Sequence, residues 1–133
     1  MKPQRLRVLL CDFDAEILMQ LEQALEDAGF DTTTTWDPAD FARLAERGVF
    51  DVLVLGDHPP LINPEVILTE LRRKRHQLPR PVLVWQRQVK QCDVERLRSA
   101  GATAVVSGRD YASIVEQVRF YSRSANFAFQ QAG

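Results

Sequence analysis

Short apolar runs, each followed by a stretch with helical spacing, set the narrowest limit on what this chain can fold into. The runs lie at residues 7–11, 31–36, 51–55, 81–85 and 103–107. In RVLLC, DVLVL and PVLVW the apolar residues are consecutive rather than alternating. A strand with one wet face alternates; a near-continuous apolar strand is covered on both faces, as in a parallel sheet. DTTTTW differs, being rich in threonine, and suits an edge strand.

The segments between the runs carry the other period. Ile17, Leu18, Leu21, Ala24, Leu25 and Ala28 recur at helical spacing, and Gly29 follows as a C′ residue should. Asp37-Pro38 supplies an N-cap and an N1 proline for a second helix through Phe41, Leu44 and Ala45 to Gly48. Pro64 opens a third, with Val66, Ile67, Leu68 and Leu71, that ends among Arg72, Arg73, Lys74, Arg75 and His76. Residues 90–100 form a fourth with Val94 and Leu97 inward, stopped by Gly101, and a fifth runs from Asp110 through Ile114, Val115 and Val118 beyond Tyr121. Strict alternation with right-handed crossovers implies an α/β doubly wound sheet, one domain over residues 1–121. Residues 122–133 show no clear pattern and read as a fraying helix end, a C-terminal tail or a linker stub.

Bulk properties exclude several classes. At 133 residues, with 45% hydrophobic residues, the chain can bury one sizeable core. A net charge of -1 and a pI near 6.1 give no broad field for a nucleic acid or a membrane surface. Cys11 and Cys92 match no zinc or redox spacing and read as free thiols of a reducing compartment. The N-terminal apolar run is too short for a signal peptide, and no window approaches a membrane span. The expected location is the cytoplasm.

The acidic turn VLLCDFD, the helix end ALEDAGF, the stretch FDVLVLGDHPP and the step LRSAGATAVV stand in an order and spacing that resembles the receiver domain of two-component response regulators. The likeness covers roughly residues 5–121. It implies a flavodoxin-like sheet in the order 2-1-3-4-5. It also implies a site at the carboxyl edge of the sheet. There, acids after the first strand bind magnesium, an aspartate ending the third strand accepts a phosphoryl group, and a Ser or Thr and a Lys end the fourth and fifth.

Laid on this sequence, that pattern is mostly vacated. Asp12 matches the first acid, Phe13 stands where the second belongs, and Asp14 follows. Counting back from Pro60 and forward from Asp51 both put Gly56 at the acceptor position. The Ser/Thr position falls on Gln86, the Lys position on Ser107 or Gly108 with Arg109 the nearest cation, and the aromatic switch position on Val105. An alternative acceptor is Asp57, which a one-residue slip absorbed by a bulge at Gly56 would bring to the pocket. In that case the chain would be an ordinary phosphoacceptor served by a histidine kinase.

Each candidate also has a plainer structural role. Asp12 and Asp14 form a weak magnesium set, and Asp14 also suits the N-cap of the first helix. His58 beside Asp57 comes with no nucleophile, and reads as a loop histidine. The cluster Arg72–His76 with Arg80 lacks aromatic interleaving and reads as a solvated helix end. Trp36 and Trp85 lie at strand ends, Trp85 most simply as core. Phe120, Tyr121, Phe127 and Phe129 exceed what covering the sheet requires, and suit an exposed partner surface. The expectation is therefore a receiver-like, pseudo-receiver module of a response regulator. It would not be an enzyme, would need no cofactor, and would signal through another protein or a homodimer on the face of the fourth helix, fifth strand and fifth helix. No G-x-G-x-x-G or P-loop pattern supports an unrelated nucleotide-binding flavodoxin-like protein.

Overall fold

The computed structural model describes residues 5–57, 62–74, 81–86, 91–107 and 110–132, with the backbone alone at 91, 92, 107 and 124–132. His58, Pro60, Arg75, His76, Arg80, Gly108 and Arg109 lie outside the described residues, as do the side chains of Cys92, Ser107, Phe127 and Phe129. The elements are β1 (Arg7–Cys11), α1 (Ala15–Asp27), β2 (Asp31–Thr35), α2 (Pro38–Glu46), β3 (Val52–Gly56), α3 (Pro64–Lys74), β4 (Val82–Gln86), α4 (Gln91–Ala100), β5 (Ala104–Ser107) and α5 (Tyr111–Ala132). The strands form one parallel sheet in the order β2-β1-β3-β4-β5. This is the flavodoxin-like (βα)5 architecture expected from the sequence.

The helix ends are written into local chemistry. Asp14 Oδ1 accepts the N–H groups of Glu16 at 3.0 Å and Ile17 at 3.3 Å, so it caps α1. Asp37 caps α2 by accepting the Ala39 N–H at 2.9 Å, with Pro38 already set at the helical φ. At the end of α1, Gly29 takes φ 96°, the Gly29 N–H reaches Glu26 O at 3.0 Å, and the Phe30 N–H reaches Leu25 O at 3.0 Å. These two bonds are a Schellman closure, and its left-handed residue favours glycine.

Strand ends shift by a residue from the sequence reading. Asp51 stays outside β3 because its carboxylate accepts the Arg7 N–H at 2.8 Å. Pro81 has no N–H for the ladder, so β4 begins at Val82, whose N–H goes to Thr103 Oγ1 at 3.0 Å. Trp36 falls beyond β2 and is 70% exposed. Val94 is half-buried, whereas Leu97 carries the inward face of α4.

Two apolar layers clamp the sheet. Val8, Leu10, Val52, Val54, Trp85 and Val106 face α1 and α5, where they meet Leu21, Leu25 and Ile114. Leu9, Cys11, Leu53, Leu55, Val82 and Val84 face the other way, toward Phe41, Leu68 and Leu97. Trp85 is core, 4% exposed. α5 continues through residues 122–132, where the sequence shows no pattern, and Ser122 within it is buried. Tyr121 packs against the α1 layer instead of joining an open patch, and Phe120 is exposed beside it in an edge-on ring contact at 5.0 Å. Among the described residues, no helix is long and apolar enough to cross a membrane.

Candidate functional site

The parallel register determines which side chains meet at the carboxyl edge. Cys11 pairs with Leu55, Gly56 pairs with Trp85, and Gln86 pairs with Ser107. The ladder continues past the strand ends: the Asp12 N–H donates to Thr35 O at 3.2 Å and the Asp57 N–H to Trp85 O at 3.1 Å. Since successive residues of a strand point to opposite faces, Asp12 and Gly56 belong with Leu10 and Val54, on the α1/α5 side. Asp57 and Gln86 belong with Leu55 and Val84, on the opposite side.

Asp12 is 1% exposed. Its Oδ1 accepts the Asp14 N–H at 2.9 Å, which closes the turn into α1. Its other oxygen lies over Gly56. A Cβ built on Gly56 would stand 2.3 Å from Asp12 Oδ2, 2.9 Å from Asp12 Cγ and 3.3 Å from Cys11 O. The place where a side chain at position 56 would begin is thus filled by the neighbouring carboxylate. Phe13 turns outward and is 51% exposed.

On the opposite face, Gln86 Nε2 donates to Asp57 Oδ2. Gln86 is 5% exposed, and its Oε1 is buried with no hydrogen-bond partner among the described residues. Cys11, the last residue of β1, is buried in the layer that faces Phe41, Leu68 and Leu97. Burial pushes its thiol up from 9.0 to about 12, and the negative charges of Asp12 and Asp37 push in the same direction.

These contacts define what the edge can do. Asp12 and Asp57 do not converge, because alternation sends them to opposite faces of the sheet. Val105 is partly buried against the α3/α4 layer, and β5 ends at Ser107 with Gly108 outside the described residues. The donor set for magnesium does not fit: Phe13 replaces one acid, and Asp14 spends its carboxylate on the α1 cap. Among the described residues, no group of three His, Cys, Asp or Glu side chains could hold a metal ion. The Gly56 position and the Asp14 cap were legible in sequence, but the Gln86–Asp57 hydrogen bond and the seating of Asp12 on Gly56 were not. A glutamine ending one strand beside an aspartate just past the next was the signal available for the first.

No protein-family model matches the chain. The transcriptional regulatory protein PrrA of Mycobacterium tuberculosis is 34% identical over 77 residues, which are 58% of this chain and 33% of PrrA. The chain therefore spans about a third of the length of the curated relatives it matches. Among solved structures, the signal receiver domain of a LuxO repressor protein from Vibrio parahaemolyticus superposes with a TM-score of 0.85 at 18% identity, covering 98% of this chain and 99% of that one. The chemotaxis protein CheY4 of Vibrio cholerae gives 0.80 at 18% identity, covering 89% and 99%. The structural likeness shows the fold, which this chain shares with those receiver and chemotaxis proteins.

Proposed function

We propose that this chain is a receiver domain of the response-regulator kind and, within that family, a pseudo-receiver: a signalling module that works by protein contact and carries no phosphoryl group on β3. The observation that supports this is the seating of Asp12 on Gly56, with Asp12 Oδ2 2.3 Å from where a Cβ would stand. In an acceptor site that volume belongs to the aspartate that takes the phosphoryl group, and the first acid is free to hold a metal. Here the first acid is buried against the gap and closes the α1 turn. The amide of Gln86, committed to Asp57, stands where a hydroxyl would grip the phosphoryl oxygens. The module is not an enzyme and calls on no cofactor. Its output is a contact with another protein or with a second copy through the α4–β5–α5 face; on α5, Phe120 is 60% exposed.

The test is incubation with magnesium and acetyl phosphate followed by intact mass, with Asp57→Asn measured in parallel. The expected result is unmodified protein in both samples, each shown folded by circular dichroism. A phosphoryl adduct on the wild type that is lost in Asp57→Asn would overturn the proposal. It would make Asp57 an ordinary acceptor fed by a histidine kinase.

A further inference from the structure

At the opposite, amino edge of the sheet, a surface cavity of about 270 Å³ lies between the end of α1, the start of β1 and the middle of α5. Arg5, Arg119 and Arg123 line it, with Gly29, Phe30 and Ser122 forming part of its wall. These residues come from three distant parts of the chain, and only the fold brings them together. Among the described residues, no acidic side chain lines this cavity.

The pairing of these arginines sets them apart. Elsewhere on the surface Arg43 meets Asp40 at 2.7 Å, Arg96 meets Asp93 at 2.7 Å and Arg73 meets Glu70 at 2.9 Å. Arg5 stands 3.7 Å from both Glu26 and Asp31, and Arg119 stands 3.8 Å from Glu116. Those separations are too long for hydrogen bonds. Arg123 makes no ion pair among the described residues. Nor are the guanidinium groups needed to cap α1, because the N–H groups of Ala28, Gly29 and Phe30 already take its last carbonyls. Three planar donor forks therefore surround one small concavity with most of their hydrogen bonds unspent.

We infer that this cavity is a binding site for the phosphoryl group of a small ligand. Guanidinium forks match phosphoryl oxygens bidentately, and the cavity has room for a group of that size. A polyanion is the poorer match. The chain has a net charge of -1, and the arginines converge on a hollow instead of forming a stripe that could track a nucleic acid or a membrane. The inference does not depend on the fate of Gly56, since the two sites lie at opposite ends of the strands.

The test is a titration of the full chain with pyrophosphate at constant ionic strength, read by amide chemical shifts. Saturable shifts are expected at Gly29, Phe30, Ser122 and Arg123, with a dissociation constant of about 1 mM or tighter. Arg123→Gln and Arg119→Gln should each weaken binding about tenfold, while Arg43→Gln, on a remote surface arginine, should leave it unchanged. Citrate supplies carboxylates instead of phosphoryl oxygens and should bind at least about fivefold more weakly. The absence of saturable shifts, an equal loss in Arg43→Gln, or tighter binding of citrate would overturn the inference. So would binding to duplex DNA or anionic vesicles through these residues without pyrophosphate competing.

Discussion

Asp12, at the carboxyl edge of the sheet, is 1% exposed and lies against Gly56, whereas Arg5, at the amino edge, has a side chain 56% exposed and only loose ion pairs. Both edges are built from the same strands. The carboxyl edge is where doubly wound proteins ordinarily place their chemistry, yet here the protein's own groups fill it. The amino edge, ordinarily a place of turns, keeps an arginine-lined hollow open. A fold can thus retain its site geometry as packing and leave its unspent polar groups at the other end of the same strands.

The difference is tested most severely by Cys11. If the carboxyl edge is closed, the thiol at the end of β1 is both shielded and neutral. Raising its pKa from 9.0 to about 12 lowers the thiolate fraction at neutral pH by roughly a thousandfold. Alkylation in native buffer, followed by peptide mapping that scores Cys11 apart from Cys92, should find Cys11 labelled at least about a hundredfold more slowly than in denaturant. Labelling at comparable rates would show that the edge opens. The sign for stability follows from the raised value. Stability is fully present below the unfolded pKa near 9.0 and is lost as pH rises from there toward about 12.

The seating of Asp12 on Gly56 comes next in size. Gly56→Ala places a Cβ into that contact, and should cost about 2 kcal/mol in urea unfolding, within the range for overpacking. In an Asp12→Ala background the same substitution should cost less than about 0.5 kcal/mol, so the cycle isolates the contact. Equal costs in both backgrounds would mean that the carboxylate does not occupy the gap.

Much of this was readable from residues alone. The consecutive apolar runs, the caps at Asp14 and Asp37 and the glycine ending α1 fixed the layers and the order of elements, because burial and backbone hydrogen bonding act locally and periodically. Register also placed Gly56, since Asp51 anchors the start of β3. What stayed hidden depends on side-chain rotation or on distant parts of the chain. Nothing in CDFD says that the first acid turns over a glycine more than forty residues away. Arg5, Arg119 and Arg123 cannot be grouped before α5 is laid against the start of β1. Residues 122–132 lack apolar rhythm, so their helix follows only from the continuation of α5.

A smaller effect sharpens the carboxyl edge further. Asp57→Ala removes the acceptor of the buried Gln86 amide, which then has both ends unsatisfied. Leaving a buried donor unpaired costs about 1–2 kcal/mol, and Asp57→Asn should recover part of it by offering a carbonyl. A loss below about 0.3 kcal/mol for Asp57→Ala would place that amide in solvent.

The smallest expected effect belongs to the amino edge, where exposure dilutes every charge. Glu26 Oε1 accepts the Thr32 hydroxyl at 2.7 Å and the Thr32 N–H at 3.1 Å, tying the end of α1 to β2. These two bonds hold the Glu26 carboxyl below its ordinary value; its slight burial opposes them, and the charge of Arg5 assists. A lowered folded pKa contributes stability that is present above the unfolded value of 4.5 and is lost as pH falls through the folded one. Urea unfolding between about pH 5 and pH 3 should therefore fall less steeply in Glu26→Gln than in the wild type. Thr32→Val, which keeps the N–H bond and removes the hydroxyl, should fall between the two. Salt should barely alter that difference, because hydrogen bonds outweigh the Arg5 charge as its cause. If salt abolished it instead, the amino edge would be held by ion pairing, and its arginines would not be unspent.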